Sequence, residues 1–441
     1  MSDHINALER YSRNRYLRLR LFPGRQNDIP DRLDLSRFDA LVLHYTLVAC
    51  YDSYVSPGLR ARIRAFNGLK AMFIQDEYQF VDATVDAIRS MEIDLLFTCV
   101  PEESIEKVYP RHKLPDCRKI NVLTGYVTAD LVERKVPAFA DRPIDVGYRG
   151  RTVPAWLGEL GQEKWRIGAR FAEEARAYGI VCDIGYREED RLYGDAWIGF
   201  LTSCKASLGV ESGSSVFDFT GDIKRQVEEH LSRYPNATYE ELRDRYFKDL
   251  EGRIALNQIS PRAFECAALR TLMILYEGDY SGILEPWRHY IPLKKDHSNM
   301  AEVVASLRNS ALCEAIVRNA YQEVAQNEEY GFRRFVQRVD HAMADLFTPS
   351  MRKRGAAPTS AELDTCVKSW IRRKERRKKR QEQWAWVRQC AADLLYLCTI
   401  RIVFCWVKPE TRGRMRRECG RVFRELLPEA LERFRGSKPY Q

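Results

Sequence analysis

The sequence predicts an α/β protein built from two Rossmann-like domains and a C-terminal α-helical extension. Three observations lead there. Apolar runs of strand length alternate with stretches of helical period up to about residue 300, the signature of parallel sheets with crossover helices. A proline-containing stretch of mixed charge, residues 127–143, divides that alternation into two series. Beyond about Met300 the strand-like runs stop and the period is helical.

The elements follow in order. Residues 1–35 are polar and Arg-rich, without a clear period. Residues 38–45 read as a buried strand, 57–66 as a helix ending at Asn67-Gly68, and 69–78 as a second strand. A helical stretch at 80–91 leads to a strand at 93–98, and a short strand falls near 121–123. The second series opens with residues 144–151 as a strand and its turn, then a helix near 165–178 and a strand at 180–184. An apolar stretch at 196–201 precedes the run 204–211. Residues 222–256 are charged with helical period and read as an insertion; a short helix and the strand 272–276 follow it. The expected boundaries are 1–135, 136–310 and 311–441.

Composition narrows the function classes. With 45% hydrophobic and 30% charged residues the chain is globular, and 441 residues suffice for two or three domains. Residues 352–380 carry twelve Lys/Arg against three acids, an excess equal to the net charge of the whole chain, +9. The body is therefore near neutral and need not bind nucleic acid. No apolar leader is visible at the N-terminus. The 12 cysteines lie singly, without C-x-x-C or Cys/His metal spacing, which predicts free thiols in a reducing, cytoplasmic setting and no metal.

Arg262 and Glu265 stand three residues apart, sharing one helical face ahead of the strand 272–276. Such a turn can present a guanidinium to phosphate and a carboxylate to ribose hydroxyls; an ordinary surface ion pair has the same spacing. The stretch Arg262-Ala263-Phe264-Glu265-Cys266-Ala267-Ala268 resembles the R-x-F-E-A-x-A-x-G donor segment of the group 1 glycosyltransferases of the GT-B fold. The resemblance covers roughly residues 140–310. It departs from the family at Leu269-Arg270, where a Gly is usual, and at Asn257, where the related E-x7-E pattern has its first Glu. It implies a nucleotide-diphosphate sugar as substrate, no further cofactor, and a glycan or lipid-linked acceptor.

Four further stretches carry candidate chemistry. Gly147-Tyr148-Arg149-Gly150-Arg151 follows a strand and offers a tight turn with Arg149 for a diphosphate. Lys205 and the small-residue loop Glu211, Gly213 and Ser214 form a second phosphate or sugar cradle. Tyr280 and Ser281, in the loop after the strand 272–276, supply amides and a hydroxyl, with Glu277 and Asp279 near sugar hydroxyls. In the first domain His44, Asp76 and Glu77 fall at strand ends, where a carboxylate can deprotonate an acceptor hydroxyl. The basic run 372–380, followed by Trp384, Trp386 and the apolar stretch 390–407, fits an amphipathic helix on an anionic membrane surface. Asp393 and Arg401 argue against a spanning helix.

The function expected is transfer of a sugar from a nucleotide-diphosphate sugar to a glycan or lipid-linked acceptor, in surface polysaccharide or glycoconjugate synthesis. Two other classes remain open: a non-catalytic sugar-nucleotide or glycan-binding protein, and a nucleic-acid-binding protein acting through its basic tail.

Overall fold

The computed structural model describes residues 2–19, 28–353 and 355–406; for residues 390–406 it describes the backbone alone. The expected apolar face of 390–407 therefore lies outside the described residues.

Two parallel sheets form the frame. The first contains β1 (Ala40–Leu43), β2 (Leu69–Phe73), β3 (Leu95–Thr98) and β4 (Arg118–Asn121), in that spatial order. The N-terminal helix α1 (Ser2–Tyr11) precedes it, and α2 (Pro57–Arg64), α3 (Val81–Met91) and α4 (Glu102–Val108) cross between its strands. A short helix α5 (Ala129–Val132) lies in the connection to the second sheet. That sheet has the order β11-β10-β7-β5-β6, with every neighbouring pair parallel. Its strands are β5 (Ile144–Arg149), β6 (Cys182–Gly185), β7 (Cys204–Gly209), β10 (Leu272–Tyr276) and β11 (Ile291–Leu293). Its helices include α6 (Glu159–Ala175), α7 (Gly194–Ser203), α10 (Pro261–Ala268), α11 (Met300–Arg308) and α12 (Ser310–Ala320). The insertion folds as α8 (Asp222–Arg233) and α9 (Tyr239–Tyr246) on a small cluster of their own with Trp156, Leu157 and Val216. A two-stranded antiparallel ribbon, β8 (Ser212–Gly213) with β9 (Asn257–Gln258), closes the base of the insertion.

The burial pattern explains why these runs became strands. All five residues of β2, all four of β3 and all five of β10 are buried, as parallel strands covered on both faces require. Each sheet accordingly has an apolar cluster on either face. Residues 196–201, an apolar stretch without alternation, form helix α7, which delivers the chain directly into β7.

The expected third body, 311–441, is divided. Helix α12 packs with the second sheet, whereas α13 (Phe332–Leu346) returns to the first. Phe335, Val336 and Val339 of α13 are fully buried against the face that carries Leu69, Phe73 and Leu95. Phe335 stacks on Tyr126 with centroids 4.5 Å apart. The helix has one apolar face at 3.6-residue spacing, and the first sheet had that face uncovered. The described residues from Ala361 onward form a separate unit, dominated by α14 (Ser360–Trp406). No helix among the described residues is long and apolar enough to cross a membrane.

Candidate functional site

A cavity of about 350 Å³ opens at the carboxyl ends of β5, β7 and β10, where open parallel sheets bind ligands. Five cationic side chains line it, Arg149, Arg151, Lys164, Arg191 and Arg262, against one carboxylate, Glu211. The first turn of α10 also faces in, through Ser260, Arg262 and Ala263. Pro261 has no N–H and the Ala263 amide donates to the Ser260 carbonyl at 2.9 Å, so this wall favours an anion chiefly through the Arg262 guanidinium.

Lys164 reaches the cavity from α6, and close packing puts it there. Gly150 lies so near α6 that a Cβ would stand 2.6 Å from the Lys164 carbonyl. The Tyr148 hydroxyl donates to that same carbonyl at 2.6 Å. The ammonium donates to the Gly213 carbonyl at 3.0 Å. Burial, then repulsion from Arg151, lowers the Lys164 pKa to about 8. Desolvation disfavours the charged amine, and a bound anion would restore it. Asp76 pulls the opposite way: its carboxylate acts on Lys164 from the first domain.

Arg262 lies between two rings, its guanidinium carbon 4.8 Å from the Tyr148 centroid and 5.2 Å from that of Trp197. It donates through Nη2 to the Arg149 carbonyl, while its buried Nε has no partner among the described residues. A buried unsatisfied donor is costly, and a ligand oxygen would relieve it. Arg149 is already committed: it pairs with Asp183 at 2.8 Å and covers the Phe200 ring at 4.0 Å.

The structure separates the residues that the sequence grouped together. Arg149, Glu211, Arg262 and Tyr280 line the cavity. Lys205 does not: it is the second residue of β7, at the far end of the strand, and pairs with Asp145 at 2.8 Å. Ser214 is fully buried, and its hydroxyl is taken up by the Leu157 and Val216 carbonyls. Gly213 has φ 114°, and a Cβ would overlap the Leu256 carbonyl; its smallness serves the β8–β9 ribbon. The Tyr280 amide donates to Glu211 at 2.9 Å, and Ser281 Oγ accepts from the Ile259 amide at 3.1 Å, so neither group is a simple phosphate donor. Glu265 accepts from Trp197 Nε1 at 2.9 Å, and burial raises its pKa. Trp197 and Arg262, rather than Glu265, form the cavity wall at that turn.

The first-domain candidates separate as well. β2 stops at Phe73, short of the expected strand end, and Asp76 lies three residues beyond it with φ 55°, a left-handed conformation rare outside glycine, accepting from the Tyr78 hydroxyl at 3.1 Å. Glu77 points into the core instead. It receives the Thr98 hydroxyl, the Cys99 amide at 2.6 Å and the Tyr109 hydroxyl at 2.6 Å, and burial raises its pKa to about 7. His44 accepts the Thr46 amide on Nδ1 at 3.3 Å and packs on Tyr45 and His4. Its buried Nε2 has no partner among the described residues, and burial lowers its pKa to about 4. Nδ1 acts as acceptor, so Nε2 carries the proton and the ring is poorly placed to take another.

No protein-family model matches the chain, and no curated protein matches it by sequence. Solved structures do. An α-glucosyltransferase in complex with UDP-glucose and abasic DNA matches at 9% identity and TM-score 0.44, over 70% of this chain and 81% of that one. A trehalose-6-phosphate synthase studied with bisubstrate glycomimetics matches at 10% identity and TM-score 0.39, over 70% and 74%. HepE of Anabaena, in complex with UDP, matches at 9% identity and TM-score 0.37, over 66% and 82%.

Proposed function

We propose that the protein is a GT-B-type glycosyltransferase whose second domain binds a nucleoside-diphosphate sugar. One observation carries the reading: five cations converge on a strand-end cavity whose described lining holds a single carboxylate. A diphosphate is the ligand that answers both the incomplete neutralisation of Lys164 and the orphaned Nε of Arg262. Asp76 takes the proton of the acceptor hydroxyl as that oxygen bonds to the sugar's anomeric carbon. The bond from that carbon to the diphosphate breaks, and the diphosphate leaves with the electron pair. Lys164, Arg151 and Arg262 meet the charge that develops there. Glu265 contributes through Trp197, whose indole it fixes.

The acceptor is a glycan or lipid-linked saccharide, as in surface polysaccharide or glycoconjugate synthesis. The supporting feature is α14, considered by itself: residues 374–389 are exposed throughout, with Trp384 63% and Trp386 41% exposed beyond a run of Arg and Lys. Basic side chains with flanking tryptophans suit an anionic membrane surface, which would hold the enzyme at the cytoplasmic face. Flotation with liposomes of anionic or neutral lipid, with and without residues 361–441, tests that part. The donor assignment is tested by thermal shift with nucleoside diphosphates, since a ligand of the native state raises the melting temperature by mass action. At least one diphosphate stabilises the protein; stabilisation by none refutes the reading.

A further inference from the structure

Glu211 is a buried acid that no cation among the described residues pairs with. It is 5% exposed, yet it lines the donor cavity. Two neutral N–H groups hold it: the Tyr280 amide donates to Oε1 at 2.9 Å, and Asn257 Nδ2 donates to Oε2 at 2.9 Å. Gly278 closes the third side, since a Cβ there would stand 2.7 Å from the carboxyl carbon. Each holding group is itself fixed. Asn257 belongs to the β8–β9 ribbon, whose register pairs it with Gly213. Tyr280 is anchored by its hydroxyl on the Tyr276 carbonyl at 2.6 Å.

A carboxylate offers about four acceptor positions, and one donor on each oxygen leaves about one open per oxygen. Leaving an anion buried in that state is costly. A ligand that presents two adjacent O–H donors would complete the shell. The diphosphate cannot do so, because it is itself an anion and an acceptor. A vicinal diol can, with one hydroxyl to each oxygen.

We infer that Glu211, held by Asn257 and the Tyr280 amide, is the subsite for a vicinal diol on the sugar of the donor. The assignment rests on the donor reading above and names the part of the donor that this corner of the cavity recognises. Glu211 contacts the ligand; Asn257 is a positioning residue that supplies a donor where a second acid would compete for the same proton.

The test is calorimetric titration with uridine and guanosine diphosphates and with their glucose and mannose conjugates. In the wild type a conjugate binds more tightly than its bare diphosphate. Glu211→Gln removes the lining's one negative charge, so it does not weaken the bare diphosphate, and it lowers the conjugate affinity about tenfold or more, the usual range for bonds to a charged group. Asn257→Asp sets two carboxylates at hydrogen-bonding distance, so one holds a proton. Conjugate binding then gains a pH dependence between about pH 5 and 8 that the wild type lacks, whereas the pH profile for the bare diphosphate stays that of the wild type. Equal losses for diphosphate and conjugate in Glu211→Gln, or no loss for either, overturn the diol subsite while the donor reading stands. A wild type that binds neither diphosphate nor conjugate overturns both. Melting curves of each variant show that it folds, and Asn257→Ala, which adds no charge, supplies a second route to the same selective loss of conjugate affinity.

Discussion

Replacing Lys164 by Met should make the empty protein more stable while removing its hold on the diphosphate. Folding carries the Lys164 ammonium from a pKa of 10.5 to about 8. At 1.36 kcal/mol per unit, keeping that charge in the empty cavity costs about 3 kcal/mol at neutral pH. Losing its bond to the Gly213 carbonyl returns about 1 kcal/mol of that. Methionine has a similar volume and no charge, so the variant gains about 2 kcal/mol and melts a few degrees higher. The sign has a pH signature. Between pH 8 and 10.5 the unfolded chain binds the extra proton, so wild-type stability rises with pH across that window. The variant lacks this rise. Diphosphate binding runs the other way, because the ligand needs the ammonium. From pH 7 to 9 the wild-type affinity should fall about tenfold, the fraction protonated at one unit above the pKa. The variant's profile, measured in parallel, contains any titration of the base. Urea denaturation at pH 7 and 9.5 reads the first effect, and calorimetric titration reads the second. A wild type whose diphosphate affinity is flat from pH 7 to 9, or a Lys164→Met variant that binds as tightly as wild type, refutes the reasoning.

Asp76→Asn should keep donor affinity within about threefold and reduce transfer by a factor of 10² to 10⁴ in a coupled diphosphate-release assay; unchanged transfer would remove Asp76 from the chemistry. Glu77, with its pKa raised to about 7, binds a proton in the folded state that the unfolded chain has already lost above 4.5. Stability from this group is therefore full below pH 4.5 and lost as the pH rises through 7, and Glu77→Gln should flatten that slope between pH 5 and 7.5 in urea titrations. Gly213→Ala should destabilise the fold by about 2 kcal/mol or more, because φ 114° and the Leu256 carbonyl leave a methyl no room; a melting temperature unchanged from wild type would show that the ribbon yields.

Strand positions were legible because burial on both faces leaves unbroken apolar runs, as at β2 and β10. The site was harder to read. Sequence distance puts Lys205 beside the phosphate loop, but four residues of strand carry it about 13 Å from the open end, and Asp145 claims it there. Small residues after β7 suggested free amides and hydroxyls. Packing explains them instead: Ser214 is enclosed and Gly213 abuts Leu256. Lys164 went unread because nothing around it marks it; it enters the site through a glycine that lets a helix approach. Arg262 and Glu265 were found by their spacing, yet only Arg262 lines the cavity. Helical period puts both on one face but does not say which of them an intervening Trp197 covers. The division of the C-terminal helices was illegible for a similar reason, since an amphipathic pattern announces a buried face without naming what buries it.

The return of α13 to the first sheet has a consequence for biosynthesis. On the ribosome, β4 is complete roughly 200 residues before Phe332 emerges. At cellular elongation rates that interval lasts about 10–40 s. Throughout it, the first sheet holds Leu69, Phe73, Leu95 and Phe97 on a face without its final cover. The nascent first lobe is thus a natural client for a chaperone, and truncations that stop short of α13 should partition into aggregates even though both sheets are encoded in full.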